Sequence, residues 1–143
     1  MITLILAVAL IAATIFIHYE TLRLASLGAT DLNVRPRMRM VMMLSAAMLS
    51  HIIHMALYAA GYLLLEHNFK LGTIAGQTAG IYDDAFYFSI TSYTTLGIGD
   101  IYPSGQIRLL SGIEALNGLV MITWTASMTY LHMERYWNRD TGN

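Results

Sequence analysis

The stretch Ile81-Tyr82-Asp83-Asp84-Ala85-Phe86-Tyr87-Phe88-Ser89-Ile90-Thr91-Ser92-Tyr93-Thr94-Thr95-Leu96-Gly97-Ile98-Gly99-Asp100 decides how this chain folds. Asp83 or Asp84 supplies an N-cap for a helix: a carboxylate there accepts from free backbone N–H groups and suits the positive end of the helix dipole. The helix predicted from that cap ends near Thr94. Crossing a bilayer core takes roughly 20 helical residues, so it is too short to span. Long apolar segments flank it, Val41–Leu65 before and Leu109–Leu131 after. The short helix therefore dips into the membrane and returns on the same side, which the bilayer tolerates only where the backbone is buried in protein or lines water.

Composition agrees with a membrane setting. Of 143 residues 56% are hydrophobic and 12% charged, against roughly 25% charged in soluble domains. The length allows one domain at most. A net charge of −1 offers no basic face to nucleic acid. The absence of cysteine excludes disulfides, thiolate metal sites and cysteine nucleophiles. A third apolar segment, Met1–Ile17, has only Thr3 and Thr14 as polar side chains, and Tyr19–Leu27 extends its helix at the interface. A signal peptide would show a basic residue before this run and a small-residue cleavage site after it. Neither is clear, so the segment is taken as a span.

The arginines set the expected orientation. Arg23, Arg35, Arg37 and Arg39 lie in the connection His18–Met40, and Arg135 and Arg139 in the tail, whereas Glu66–Arg108 is acidic on balance. By the positive-inside rule the first connection and the tail are cytoplasmic and Glu66–Arg108 is outside, with the N-terminus outside as well. Tyr58 and Tyr62 fit the outer interface, and Tyr130, Tyr136 and Trp137 the inner one. Lys70–Gly80, rich in small residues, is expected to be a flexible loop.

The segment after the short helix suits the passage of a dehydrated cation. Carbonyl oxygens replacing an ion's water shell must face one axis. Aiming neighbouring carbonyls the same way needs alternating backbone handedness, and glycine enters the left-handed region without steric cost. Gly97 and Gly99 meet that need, Leu96 and Ile98 are expected to pack outward against the short helix, and Thr95 can add its hydroxyl. The helix C-terminus points its negative end at the same place.

Here the sequence resembles the potassium-channel pore family, whose signature Thr-x-Gly-x-Gly-Asp stands between two membrane helices. The resemblance covers Val41–Trp137. It implies an outer helix Val41–Leu65, an inner helix Ile107–Tyr130, and a filter of Thr95, Leu96, Gly97, Ile98 and Gly99 holding K⁺. It further implies a gating hinge at Gly118, a cavity lined by Leu119, Ile122 and Ala126, and an aromatic pair Tyr87–Phe88 in which Tyr87 bonds Asp100. Two positions depart from the pattern. Ile98 replaces a tyrosine that braces the filter, and Thr91 stands where some members carry a glutamate that pairs with the aspartate. One chain brings one filter strand and an axis needs four, so a homotetramer is implied.

Other features have plainer alternatives. His51 and His54 share a face of the second span, and intramembrane ionisable groups usually face the protein interior. At 1.5 Å per residue His54 lies about 16 Å deep, and Glu114 and Asn117 about 8 and 12 Å below Leu109. A pH-sensitive contact of His54 with Glu114 or Asn117 is one expectation, and neutral packing histidines the other. His18 and His132 are expected near the cytoplasmic ends, away from that pair, which leaves a haem or metal site incomplete. Arg35, Arg37 and Arg39 lie outside the spans and suit anionic lipid better than voltage sensing. The ten methionines suit adaptable packing better than copper handling.

The expectation is thus an all-α, multi-pass protein of the cell membrane: three transmembrane helices, a re-entrant pore helix and a filter loop per subunit. Residues 1–40 form the first span and Arg-rich connection, 41–137 the pore domain, and 138–143 a short cytoplasmic tail. The protein is expected to conduct K⁺ passively without enzymatic chemistry, with no cofactor beyond K⁺ in the filter, and with itself and membrane lipid as partners. A weakly selective Na⁺/K⁺ pore is the alternative among channels, and a haem-binding redox subunit the alternative outside them.

Overall fold

The computed structural model describes residues 1–31, 35–76 and 80–140; side chains are described for all of these except 29–31, 36 and 135–140. Four α-helices dominate: α1 (Ile2–Asp31), α2 (Pro36–Leu63), α3 (Ile81–Tyr93) and α4 (Ile107–Asp140). A π-helical turn, Leu64–Asn68, extends α2, and a two-stranded ribbon joins β1 (Ile74–Gly76) to β2 (Ile101–Pro103). Among the described residues three stretches are long and apolar enough to cross a membrane: Ile2–Gly28, Arg37–Asn68 and Ile107–Glu134, with mean hydropathies of 2.3, 1.8 and 1.3. The chain is an all-α multi-pass membrane protein with one short helix held among three long ones.

Several boundaries differ from the sequence-based reading. The first helix, expected over Met1–Ile17 with Tyr19–Leu27 extending it, runs unbroken to Asp31, and α2 begins at Pro36. Most of the supposed connection His18–Met40 is therefore helix. Proline fits the first turn of α2, where its missing N–H has no intrahelical partner to lose. The side chains of Arg135, Tyr136, Trp137 and Arg139 lie outside those described, as do residues 141–143 of the expected tail. Residues 138–140 continue α4.

Within the Lys70–Gly80 segment, residues 70–76 are more ordered than expected. Ile74 faces Pro103, Ala75 faces Tyr102 and Gly76 faces Ile101 in antiparallel register. Ser104 N donates to Thr73 O at 2.8 Å, and Gln106 N to Leu71 O at 2.7 Å. The ribbon and these bonds tie the segment between Asp100 and α4 to the segment that follows α2. A strand of three residues is too short to carry a periodic signal of its own.

The apolar core lies where the end of α2 and the start of α4 meet α3: Tyr58, Tyr62 and Leu65 pack with Phe88, Ile107 and Leu110. Tyr62 and Phe88 stack edge to face with centroids 5.1 Å apart, a favoured aromatic geometry. Ala7 and Leu10 of α1 join the same core. Polar pins complete the attachment of α1. Thr3 Oγ1 donates to Gln106 Oε1 at 2.8 Å, Asn117 Nδ2 donates to Thr14 Oγ1 at 2.9 Å, and His18 lies 3.1 Å from Ser50 and 3.2 Å from Thr125.

Candidate functional site

The pore helix α3 starts one turn earlier than the aspartates suggested. Gly80 is its N-cap, and Asp83 and Asp84 fall in the first turn. Asp84 Oδ2 reaches back to accept from Gly80 N at 3.4 Å. A carboxylate in that turn still complements the helix dipole, so the chemistry survives although the cap position does not. At the other end, Thr94 N donates to Ile90 O at 3.1 Å, and Thr95 N to Ser92 O at 2.9 Å. These bonds close the helix where the glycine-spaced strand begins.

In that strand the φ angles are +58° at Thr95, +55° at Gly97 and +86° at Gly99, while Leu96 and Ile98 are not in the positive-φ region. The backbone thus alternates in handedness over five residues. Glycine adopts this region freely; Thr95 does so at a cost of about 1–2 kcal/mol. One bond anchors the strand from behind: Gly97 N donates to Thr91 O at 3.1 Å. The Thr91 hydroxyl turns back to Phe88 O at 3.0 Å. Thr91 thus touches the strand through its carbonyl and not its side chain.

Asp100 is held at the outer end. The Tyr87 hydroxyl donates to its Oδ2 at 2.9 Å, and Ile101 N donates to its Oδ1 at 2.9 Å. The carboxylate acceptor favours the neutral phenol and raises the Tyr87 pKa above its ordinary value. Leu96 and Ile98 correct an expectation. They are 65% and 56% exposed, because nothing within this chain lies on the side to which they point. An open groove of about 390 Å³ runs past Thr95, Gly97 and Gly99 toward Ser111, Gly112 and Ala115 of α4.

Below the filter the inner helix presents Leu119, Ile122 and Ala126, all exposed. Ile122 and Ala126 share a wide groove with Thr94 at the pore-helix terminus. Gly118 has a packing task within an unbroken α4: a Cβ there would collide with the Tyr93 carbonyl oxygen. Only glycine lets the end of α3 approach this closely.

The expected contact of His54 with Glu114 or Asn117 does not form. Glu114 is buried and accepts from the Tyr62 and Ser89 hydroxyls, and Ser89 Oγ also lies 2.8 Å from Met55 O. Glu114 thereby joins the pore helix to α2 and α4. Asn117 donates to Thr14 and to Tyr58 Oη at 3.2 Å. His54 instead lies 3.2 Å from Ser50 Oγ and 2.9 Å from Tyr93 Oη. The depth count compared distances from two helix ends that do not start level.

His18 was also misplaced. It sits against His51 and His54, with ring centroids 5.1 and 5.5 Å away, because α1 continues well past it and leaves it near mid-helix. The sign of this in the sequence was the polar set Thr3, Thr14 and His18, whose spacings of eleven and four residues keep one helical face.

Residues 51–133 match the ion channel family. Among curated proteins, the inward rectifier potassium channel Kirbac3.1 of Paramagnetospirillum magnetotacticum is 30% identical over 86 residues, 59% of this chain and 28% of that protein. The voltage-gated potassium channel regulatory subunit KCNG3 of Mus musculus is 34% identical over 79 residues, 54% of this chain and 18% of its own length. Two-pore potassium channel 4 of Arabidopsis thaliana is 29% identical over 68 residues, 47% of this chain and 24% of that channel. No solved structure matches. The chain spans less than a third of each of these relatives. It belongs to the ion channel family, a family of channels and not of enzymes, and the matched region runs from the middle of α2 to near the end of α4. The haem-binding alternative gives way to that membership.

Proposed function

We propose that four copies of this chain surround a common axis and conduct K⁺ passively through the carbonyl oxygens of Thr95, Leu96, Gly97, Ile98 and Gly99. The observation that carries this reading is the alternation of backbone handedness at Thr95, Gly97 and Gly99, placed at the C-terminal end of a short buried helix. The relatives' names include two potassium channels and a potassium channel regulatory subunit. The exposed Leu96 and Ile98 and the groove beside them are surfaces that a neighbouring subunit would cover. Oxygen rings at the axis replace the hydration shell of the ion, and the pore-helix dipoles favour positive charge there. The Arg35, Arg37 and Arg39 cluster lies on the cytoplasmic side, the ribbon and filter mouth face outside, and the N-terminus is outside as well.

A weakly selective Na⁺/K⁺ pore is the second reading, favoured by one observation. Ile98 has no polar atom with which to brace the strand, and Asp100 is held by Tyr87 without a carboxyl partner at Thr91. Reconstitution into liposomes with opposed K⁺ and Na⁺ gradients separates the two. K⁺ flux well above Na⁺ flux supports the first reading, and equal fluxes the second. A monomeric particle, or ion flux that survives Gly97→Ala unchanged, ends both.

A further inference from the structure

Three of the chain's five histidines meet inside the membrane-spanning bundle. His18 comes from α1, and His51 and His54 from successive turns of α2; all three are buried. A nitrogen of each lies within 4.8 Å of a nitrogen of the others, and the ring centroids are 5.1, 5.5 and 5.9 Å apart. Three hydroxyls alternate with the rings in a closed circuit. Ser50 lies between His18 and His54, Tyr93 between His54 and His51, and Thr125 between His51 and His18, all at 2.9–3.2 Å. Ionisable side chains at this depth are costly and mark functional sites.

We propose that His18, His51 and His54 form a binding site for one divalent transition-metal ion of the zinc type. The donors are imidazole nitrogens, a set that suits zinc, copper and nickel and disfavours magnesium and calcium. Zinc holds imidazole nitrogen at about 2.0–2.1 Å. From a spacing of 4.8 Å or less, each nitrogen reaches that distance by moving inward roughly 0.8 Å or less. Rings gripping one such ion have centres roughly 5.0–5.5 Å apart, close to the spacings observed.

The hydroxyl circuit fits this use. Each imidazole has two hydroxyl partners, so each can turn one nitrogen to the ion and keep the other bonded. A partner on the second nitrogen is what orients metal-bound histidines elsewhere. The Tyr93 oxygen, 2.9 Å from Nδ1 of both His51 and His54, stands where a fourth ligand belongs. His51 and Thr125 also line an open groove of about 630 Å³ together with Met48, Met55 and Met133, which provides an approach past polarisable thioethers. The site uses none of residues 95–99 and does not depend on which ion the pore conducts.

The test uses full-length protein in detergent, stripped with chelator and then dialysed against Zn²⁺ or Co²⁺. The expected result is about one tightly held Zn²⁺ per chain, with Co²⁺ giving the intense visible bands of a four-coordinate ion. His18→Gln is expected to lower zinc affinity at least about tenfold, while His132→Gln, outside the cluster, leaves it unchanged. Equal zinc binding by wild type and His18→Gln overturns the proposal, as does a cobalt spectrum of the pale six-coordinate kind alone. Should His18→Gln fail to fold, Ser50→Ala keeps all three imidazoles and removes one orienting hydroxyl. Zinc is expected to raise the wild-type thermal midpoint, and Ser50→Ala to need roughly tenfold more zinc for the same rise. A wild-type midpoint that zinc does not move also overturns the proposal.

Discussion

From Thr94 to Asp100 every residue is exposed, whereas in the layers below His18, His51, His54, Glu114 and Asn117 are buried and bonded. Among the described residues no buried side-chain nitrogen or oxygen lacks a partner. The two regions obey the same rule from opposite sides. In a bilayer, polar groups with no partner are costly, so a single chain closes its own polar interior completely. The strand from Thr95 to Gly99 is not closed that way within the chain, and on the proposed reading its carbonyls serve an ion and its apolar side chains meet neighbouring subunits. Interior order is a property of the chain, and under the proposed tetramer the order of the strand is a property of the assembly.

The sharpest break in that contrast is Gly97→Ala. A left-handed alanine costs about 1–2 kcal/mol in each strand, and nothing in the chain meets the added methyl. K⁺ flux into liposomes is expected to fall more than about tenfold, as four such costs at one axis imply, with the subunit losing no more stability than that cost of about 1–2 kcal/mol. A large loss of subunit stability would place the filter among the self-closed regions.

Glu114 tests the opposite side. Glu114→Leu takes the carboxylate acceptor from the Tyr62 hydroxyl and leaves Ser89 Oγ only the Met55 carbonyl, and unfolding in mixed micelles should show a loss of about 1–3 kcal/mol. Glu114→Gln keeps an acceptor and should lose clearly less. Gly118→Ala comes next, expected to cost about 1–3 kcal/mol through collision with the Tyr93 carbonyl. Were Gly118 only a hinge, alanine would leave stability unchanged or raise it, as helix propensity dictates. Thr14→Val is the mildest: it removes the Asn117 acceptor on α1 and should cost about 1 kcal/mol, read as easier proteolysis of the first helix.

What could be read directly from the residues was whatever depends on near neighbours. Hydropathy averaged over a span-length window located all three crossings, and the glycine spacing located the left-handed positions, because both are local properties of the backbone and its solvent. Local signals also misled. Arg23 counted toward a connection over His18–Met40, although it pairs with Glu20 at 2.9 Å on the surface of a continuing helix. Asp83 and Asp84 drew the helix cap toward themselves, although Gly80 takes it.

Composition, spacing and apolar length by themselves determined a membrane protein with a re-entrant element and a glycine-alternating strand. Tertiary structure alone decided that His18 meets His51 and His54, that Glu114 serves the pore helix, and that Gly118 makes room for Tyr93. Those pairings join residues dozens of positions apart on different helices. They depend on the relative height and rotation of packed cylinders, and a helix's own sequence specifies which face is polar but not how far it slides along its neighbour.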